Sequence, residues 1–174
     1  VEPTAFEVKP LEKSSLDRQT EANIAFKRGV QELRRKMRGS GNELGELNKR
    51  LTHIKTAVQT YPGADLAWMK EIKTLEQLSH DIRINMWGDY HKSNRDVETI
   101  PGTASRVEQI VWDTWYSTSN PTTTNKEQYD IAQEDYAGLR SDITEFKTGI
   151  EELESKLDSK NVPYTPNRPN WKED

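Results

Sequence analysis

Cysteine is missing from all 174 residues, so the chain can form no disulfide, use no thiol nucleophile and hold no zinc through thiolates. Long apolar runs are missing too. None approaches the roughly 18 residues that a membrane-spanning helix needs, and the mean hydropathy is -0.97. The first ten residues, Val1 to Pro10, have neither the basic start nor the apolar centre of a secretory signal. There is no excess of positive charge: 25 basic side chains stand against 29 acidic ones, for a net charge of -4. That balance speaks against broad nucleic-acid binding.

Motifs that carry chemistry are equally scarce. The three histidines are His53, His80 and His91. None lies in a His-x-x-x-His, Glu-x-x-His or His-Glu-x-x-His spacing, which would place two metal ligands on one helix face. No Gly-x-Ser-x-Gly nucleophile elbow occurs, and no Lys-Ser/Thr follows Gly39-Ser-Gly41. That glycine pair therefore reads as a turn between two helices, not as a phosphate cradle. Glu151, Glu152 and Glu154 flank Leu153 and read as a solvated helix face. The expectation is a chain with no catalytic residue, no metal site and no cofactor.

What is present is helical periodicity. Tyr129, Ala132, Tyr136, Leu139, Ile143, Phe146, Ile150, Leu153 and Leu157 follow one another at alternating steps of three and four. This is the seam of a helix packed on other helices. Thr124-Asn-Lys-Glu127 ahead of it reads as a capping box, and Asn161-Val-Pro163 closes it, predicting a helix over about 125–160. A second stripe runs through Leu44, Leu47, Leu51, Ile54, Val58 and Tyr61, and an upstream one through Phe26, Val30, Leu33 and Met37. Gly39 to Asn42 separates the two. A further helix is predicted from Asp65 to Trp87 on Trp68, Ile72, Leu75, Ser79, Ile82 and Met86, and a short one over 103–117 on Val107, Ile110, Val111, Thr114 and Trp115.

These segments predict an all-α fold, an antiparallel up-and-down bundle of four to five helices. Residues 1–13 read as an extended stub, in which Phe6 and Val8 alternate with Glu7 in the manner of a last strand of a preceding β-domain. Residues 14–160 make the bundle. Residues 161–174, with three prolines and Trp171, form an extended tail packed on it. The longest irregular stretch is 88–102. Charge adds a pairing expectation. Lys27 to Arg38 holds six basic and one acidic side chain, net +5, and Glu127 to Asp158 holds ten acidic and three basic, net -7. Opposed charge of that size favours the first and last helices side by side, although each exposed pair is worth only about 0–1 kcal/mol.

Five tryptophans are many for this length. Trp112, Trp115 and Tyr116 cluster on one short helix, where Trp115 continues the apolar stripe toward the core and Trp112, out of phase with it, is placed to cover a neighbouring domain. Aromatic faces of this kind anchor partner proteins or stack on sugars. Arg106, Trp112, Trp115, Tyr116, Arg168 and Trp171 are the candidate interaction residues.

Three stretches resemble the C-terminal region of bacterial sortilin-like proteins, also described as glycosyl-hydrolase-like BNR/Asp-box β-propeller proteins. The start, Phe6-Glu-Val-Lys-Pro10 with Asp17, Gln19, Ala25, Phe26 and Val30, is similar to that family's last strand running into its first helix. The middle comprises Arg106-Val107, Trp115, Ser117, Ser119, Pro121-Thr122, Tyr129 and Ala132. The end, Val162-Pro-Tyr-Thr-Pro-Asn-Arg168 with Pro169 and Trp171, resembles the family's Pro-aromatic-Thr-Pro-Gly-Arg tail, with Asn167 at the glycine. No Ser-x-Asp-x-Gly-x-x-Trp Asp-box is present. The resemblance implies a non-enzymatic accessory domain that packs on preceding β-propeller and β-sandwich domains or mediates association. It also implies a secreted, periplasmic or cell-surface location. The aromatic face leaves a second function open, a carbohydrate- or small-ligand-binding module, and a hydrolase fragment is the weakest of the three.

Overall fold

A computed structural model describes residues 4–7, 20–163 and 165–166. Its described residues are helical and contain no strand. There are five helices, α1 (Thr20–Thr60), α2 (Leu66–Trp87), α3 (Tyr90–Ser93), α4 (Thr103–Trp115) and α5 (Thr123–Asp158), of which α1, α2, α4 and α5 pack against one another. The bundle expectation holds, but the helices are divided differently. Gly39 to Asn42 is no turn, and α1 runs straight through it for 41 residues, about 60 Å at 1.5 Å per residue. Ser40 is the reason. It is buried and completes the register from Met37 to Leu44 at steps of three and four, so the two stripes are one stripe with a hydroxyl at a seam position. That hydroxyl lies 3.1 Å from the Tyr136 hydroxyl of α5 and is satisfied there.

Glycine inside a helix costs roughly 0.5–1 kcal/mol relative to alanine. A Cβ at Gly39 or Gly45 would meet nothing within 4 Å. Gly39→Ala and Gly45→Ala are therefore each expected to raise stability by about 0.5–1 kcal/mol, measured as a shift of the denaturant midpoint at constant slope. A loss of stability in both would mean that α1 is broken at this point after all.

The topology is three rods side by side, made from α1, α5 and the pair α2 and α4. α1 and α5 run in the same direction: Phe26 meets Tyr129 edge-on, Arg140 binds Glu43, Arg50 binds Glu154, and Tyr61 donates to the carbonyl of Lys160. α2 runs back along the second half of α1, with Tyr61 beside Trp68 at one end and Trp87 beside Gly41 at the other. α4 then continues in the same direction along the first half of α1, from the Arg34–Glu108 pair to the bond from Lys27 to the Ser117 carbonyl. So α2 and α4 form one interrupted rod. Thr103 Oγ1 donates to the Asn85 carbonyl and Ser105 Oγ to the Trp87 carbonyl, holding the two pieces end to end. Residues 88–102 leave the rod between them as an excursion, which contains α3 rather than being wholly irregular.

The shared core is the sum of the stripes, with Ile54, Val58, Ile72, Ile82, Ile110, Ile143, Phe146 and Ile150 fully buried. Each contributes about 1.5–3 kcal/mol of burial before ordering entropy is subtracted. The ends of α5 differ in detail from the sequence reading. Its cap is Thr122, whose Oγ1 accepts the Asn125 amide at 3.1 Å, so the helix starts two residues earlier than a Thr124 cap places it. At the far end Asn161 adopts a left-handed backbone, φ 53°. The Val162 amide then reaches the Leu157 carbonyl at 3.1 Å and the Val162 side chain is buried. This is a Schellman closure, with its accompanying apolar contact.

Residues 4–7 are exposed and have no regular structure. The remainder of the expected terminal strand lies outside the described residues, as do Arg168 and Trp171. Of the tail, Val162 and Thr165 are buried.

Candidate interaction face

α4 is two-faced. Thr103, Val107, Ile110 and Val111 are buried in the bundle. Thr114 extends that side, its hydroxyl donating back to the Ile110 carbonyl at 2.7 Å. The opposite side and the final turn carry Trp112, 66% exposed, Trp115, 65% exposed, and Tyr116, 83% exposed. Trp115 is thus not a core residue, although the stripe spacing placed it there. α4 stops at Trp115, and its last turn lifts that side chain clear of the rods. The backbone that follows is held in place by α1. Asn23 Nδ2 donates to the Ser119 carbonyl at 2.8 Å, and Lys27 Nζ donates to the Ser117 carbonyl at 2.8 Å.

Arg106 is separate from this face. Its side chain is 15% exposed and turned toward α5, donating from Nη1 to Gln128 Oε1 and lying 3.9 Å from Asp135 Oδ2 through Nε. It ties α4 to α5. Of the six residues named from sequence, Trp112, Trp115 and Tyr116 are exposed at the end of α4 and Arg106 lies between helices.

Trp87 is the residue that sequence reasoning passed over. It ends α2 and is about half exposed, with its ring against Gly41 of α1. Together Trp87 and Trp112 wall a groove of about 740 Å³ between α1 and α4. Met37 and Val107 lie at its apolar base, and Arg34, Arg38 and Glu108 line it as well. The one available signal was Gly41, a glycine inside a helical register, which permits close approach of a large neighbour.

α1 and α5 lie side by side as expected, but charge is not what joins the basic run to α5. The acidic stretch of α5 does not answer the basic run of α1. Among the described residues, the carboxylates within 4.0 Å of that run are Glu32, on α1 itself, and Glu108, on α4. Arg34 binds Glu108 in a fork, both contacts at 2.7 Å. The guanidinium of Arg35, hydrogen-bonded to Glu32, lowers the Glu32 carboxyl from its ordinary range, and Glu32 raises Arg35 in return.

Glu154 is not on the solvated face that its place beside Leu153 suggests: it is buried and forked to Arg50 of α1, which is also buried, with Arg50 Nε 2.6 Å from Glu154 Oε1. Hydrogen bonding to that carboxylate raises the Arg50 guanidinium above its ordinary value.

A second groove, of about 680 Å³, separates the excursion from α5 and collects Asp89, Glu98, Glu134, Asp135 and Asp142 with Lys92. Asp89 caps α3 by accepting the Lys92 amide at 3.0 Å, and that bond lowers its carboxyl. Among the described residues, no three His, Asp or Glu side chains are grouped so as to hold a metal ion. His53, His80 and His91 are exposed, on three different helices. No helix of the described residues is long and apolar enough to cross a membrane.

Compared with known proteins, the chain matches no protein-family model, no curated sequence and no solved structure.

Proposed function

We propose that the chain is a non-enzymatic interaction domain, the helical end piece of a secreted sortilin-like β-propeller protein. In this reading it docks on the preceding β-domains, or mediates association, through the aromatic end of α4. One observation carries the proposal: Trp112, Trp115 and Tyr116 stand exposed on a short helix whose other side is fully packed. Each such aromatic can bury roughly 150–250 Å² against a partner. Clustered tryptophan and tyrosine side chains are also the residue types that dominate interface energetics, at about 2 kcal/mol or more each when central. The likeness of the Phe6–Pro10 start and the Val162–Trp171 tail to the sortilin-like end domain supplies the partner, and with it the extracytoplasmic location.

The test is to express the natural reading frame containing this chain, release the helical domain at an inserted protease site, and measure whether it stays associated. Trp112→Ala/Trp115→Ala is expected to weaken that association at least about tenfold, the effect of roughly 1.4 kcal/mol. Helix content should remain unchanged, because both side chains lie outside the core. Unaltered association in the double variant would remove this face from the interface. Saturable quenching of tryptophan fluorescence by a glycan, without such association, favours a sugar-binding module instead.

A further inference from the structure

We propose that the groove between α1 and α4 receives an acidic polypeptide segment of a partner, with one large apolar side chain of that segment seated between Trp87 and Trp112. The proposal rests on the reading of the chain as an interaction domain and specifies the chemistry of what it meets.

Shape is the first support. Two indoles from different helices face one groove whose base is Met37 and Val107, both buried. The geometry depends on Gly41, where a Cβ would stand 3.2 Å from Trp87 Cζ2. A glycine at mid-helix is unfavourable by about 1 kcal/mol relative to alanine. Here it lets an indole lie along α1 while leaving that indole half exposed. Such a pocket is completed by an apolar anchor, the arrangement at the centre of well-packed interfaces.

Charge is the second. Of the charged side chains that line the groove, Arg34 and Arg38 stand against Glu108, a positive surplus of one. Arg34 already holds Glu108 with both donors, while Arg38 only reaches Glu108 at 4.0 Å and has a side chain that is two-thirds exposed. A guanidinium so placed is matched by a carboxylate in the two-pronged geometry that arginine favours. A short acidic segment fits the charge distribution better than a nucleic acid does. Its few carboxylates touch only this rim, whereas a long polyanion would run onto a protein of net charge -4.

The experiment uses two fluorescein-labelled synthetic peptides, one with Leu-Phe flanked on each side by two glutamates and one with lysines in their place, titrated by fluorescence anisotropy. The acidic peptide is expected to bind at least about tenfold more tightly than the lysine peptide, and to weaken as salt screens the rim. Arg38→Glu should lower its affinity about tenfold or more and improve that of the lysine peptide, and Trp112→Ala should lower both. Both changes are at exposed positions, and an unaltered circular dichroism spectrum confirms that the fold is kept. Equal binding of the two peptides, no binding, or indifference to Arg38→Glu overturns the proposal. So does tighter, Arg38-dependent binding of a single-stranded oligonucleotide, or Arg38-dependent self-association, which would give the groove to the acidic α5 of a second copy. Association with the parent protein that is lost in Trp112→Ala/Trp115→Ala but untouched by Arg38→Glu overturns the acidic occupant and leaves the interaction-domain reading standing. Association untouched by either change overturns that reading as well.

Discussion

Glu154→Leu is expected to destabilise the protein by about 3–5 kcal/mol, because it leaves the Arg50 guanidinium buried without its carboxylate. Side chains of both residues are almost wholly excluded from solvent, at 9% and 6% exposure. Arginine cannot escape by losing its proton. The sign reverses when both charges are removed. Arg50→Met/Glu154→Leu is expected to recover the loss entirely and to equal or exceed the original protein by up to about 4 kcal/mol, since apolar side chains of similar size need no desolvation of charge. Chemical denaturation of the three proteins gives both numbers. For a chain of this size the single change corresponds to a melting temperature lower by about 6–20 °C, at roughly 2–4 °C per kcal/mol. A single variant that loses less than about 1 kcal/mol would show the pair to behave as an exposed one.

Gly102→Ala is the second large effect, and it acts on the joint between α2 and α4. A methyl group at Gly102 would stand 2.4 Å from the Gly88 nitrogen, 2.5 Å from the Trp87 carbonyl carbon and 2.8 Å from the Met86 oxygen. All three are backbone atoms, so no side chain can rotate aside. Overpacking of this kind costs about 1–3 kcal/mol, and the rigidity of the neighbours puts the expected loss at about 3 kcal/mol. Gly88 faces the same joint with φ 92° and ψ 166°, a region essentially restricted to glycine. The two glycines therefore allow one rod to leave the bundle axis, make its excursion, and resume where it stopped. Thermal unfolding and amide exchange at the start of α4 measure the effect. If Gly102→Ala melts within about 1 °C of the unsubstituted protein, the two helix ends are not in contact.

The helical seams were legible because core burial in a bundle recurs at steps of three and four, and composition does not blur that period. Leu44 to Val58, Trp68 to Met86 and Ala132 to Leu157 were placed correctly on this basis. The same reasoning failed wherever a polar residue took a buried place or an apolar one took an exposed place. Gly39-Ser-Gly41 read as a turn and hid the buried place of Ser40 between its glycines, so one 41-residue helix was divided into two. Glu154 looked solvated beside Leu153, because its partner Arg50 lies 104 positions away and no local pattern announces it. Trp115 satisfied the spacing of a core position, yet it is the last residue of α4 and stands exposed. The basic run was matched in sign to α5, whereas it meets Glu108 of α4, since long-range charge chooses among neighbours that packing has already fixed. Trp112 and Tyr116 were named from type and clustering alone, and both are exposed. Trp87 was not, because its place in the groove with Trp112 depends on α4 resuming the rod where α2 stops.

By itself the sequence determined that this protein is a bundle of helices, and which side of each helix turns inward, because apolar side chains at a fixed period can leave water in only one way. Only the tertiary structure decided that α2 and α4 share one rod, that Arg50 of α1 and Glu154 of α5 find each other between their helices, and that two tryptophans line one groove with Arg34 and Arg38. Those outcomes depend on the relative height and rotation of helices far apart in the chain, and such quantities are set by how all the seams close together.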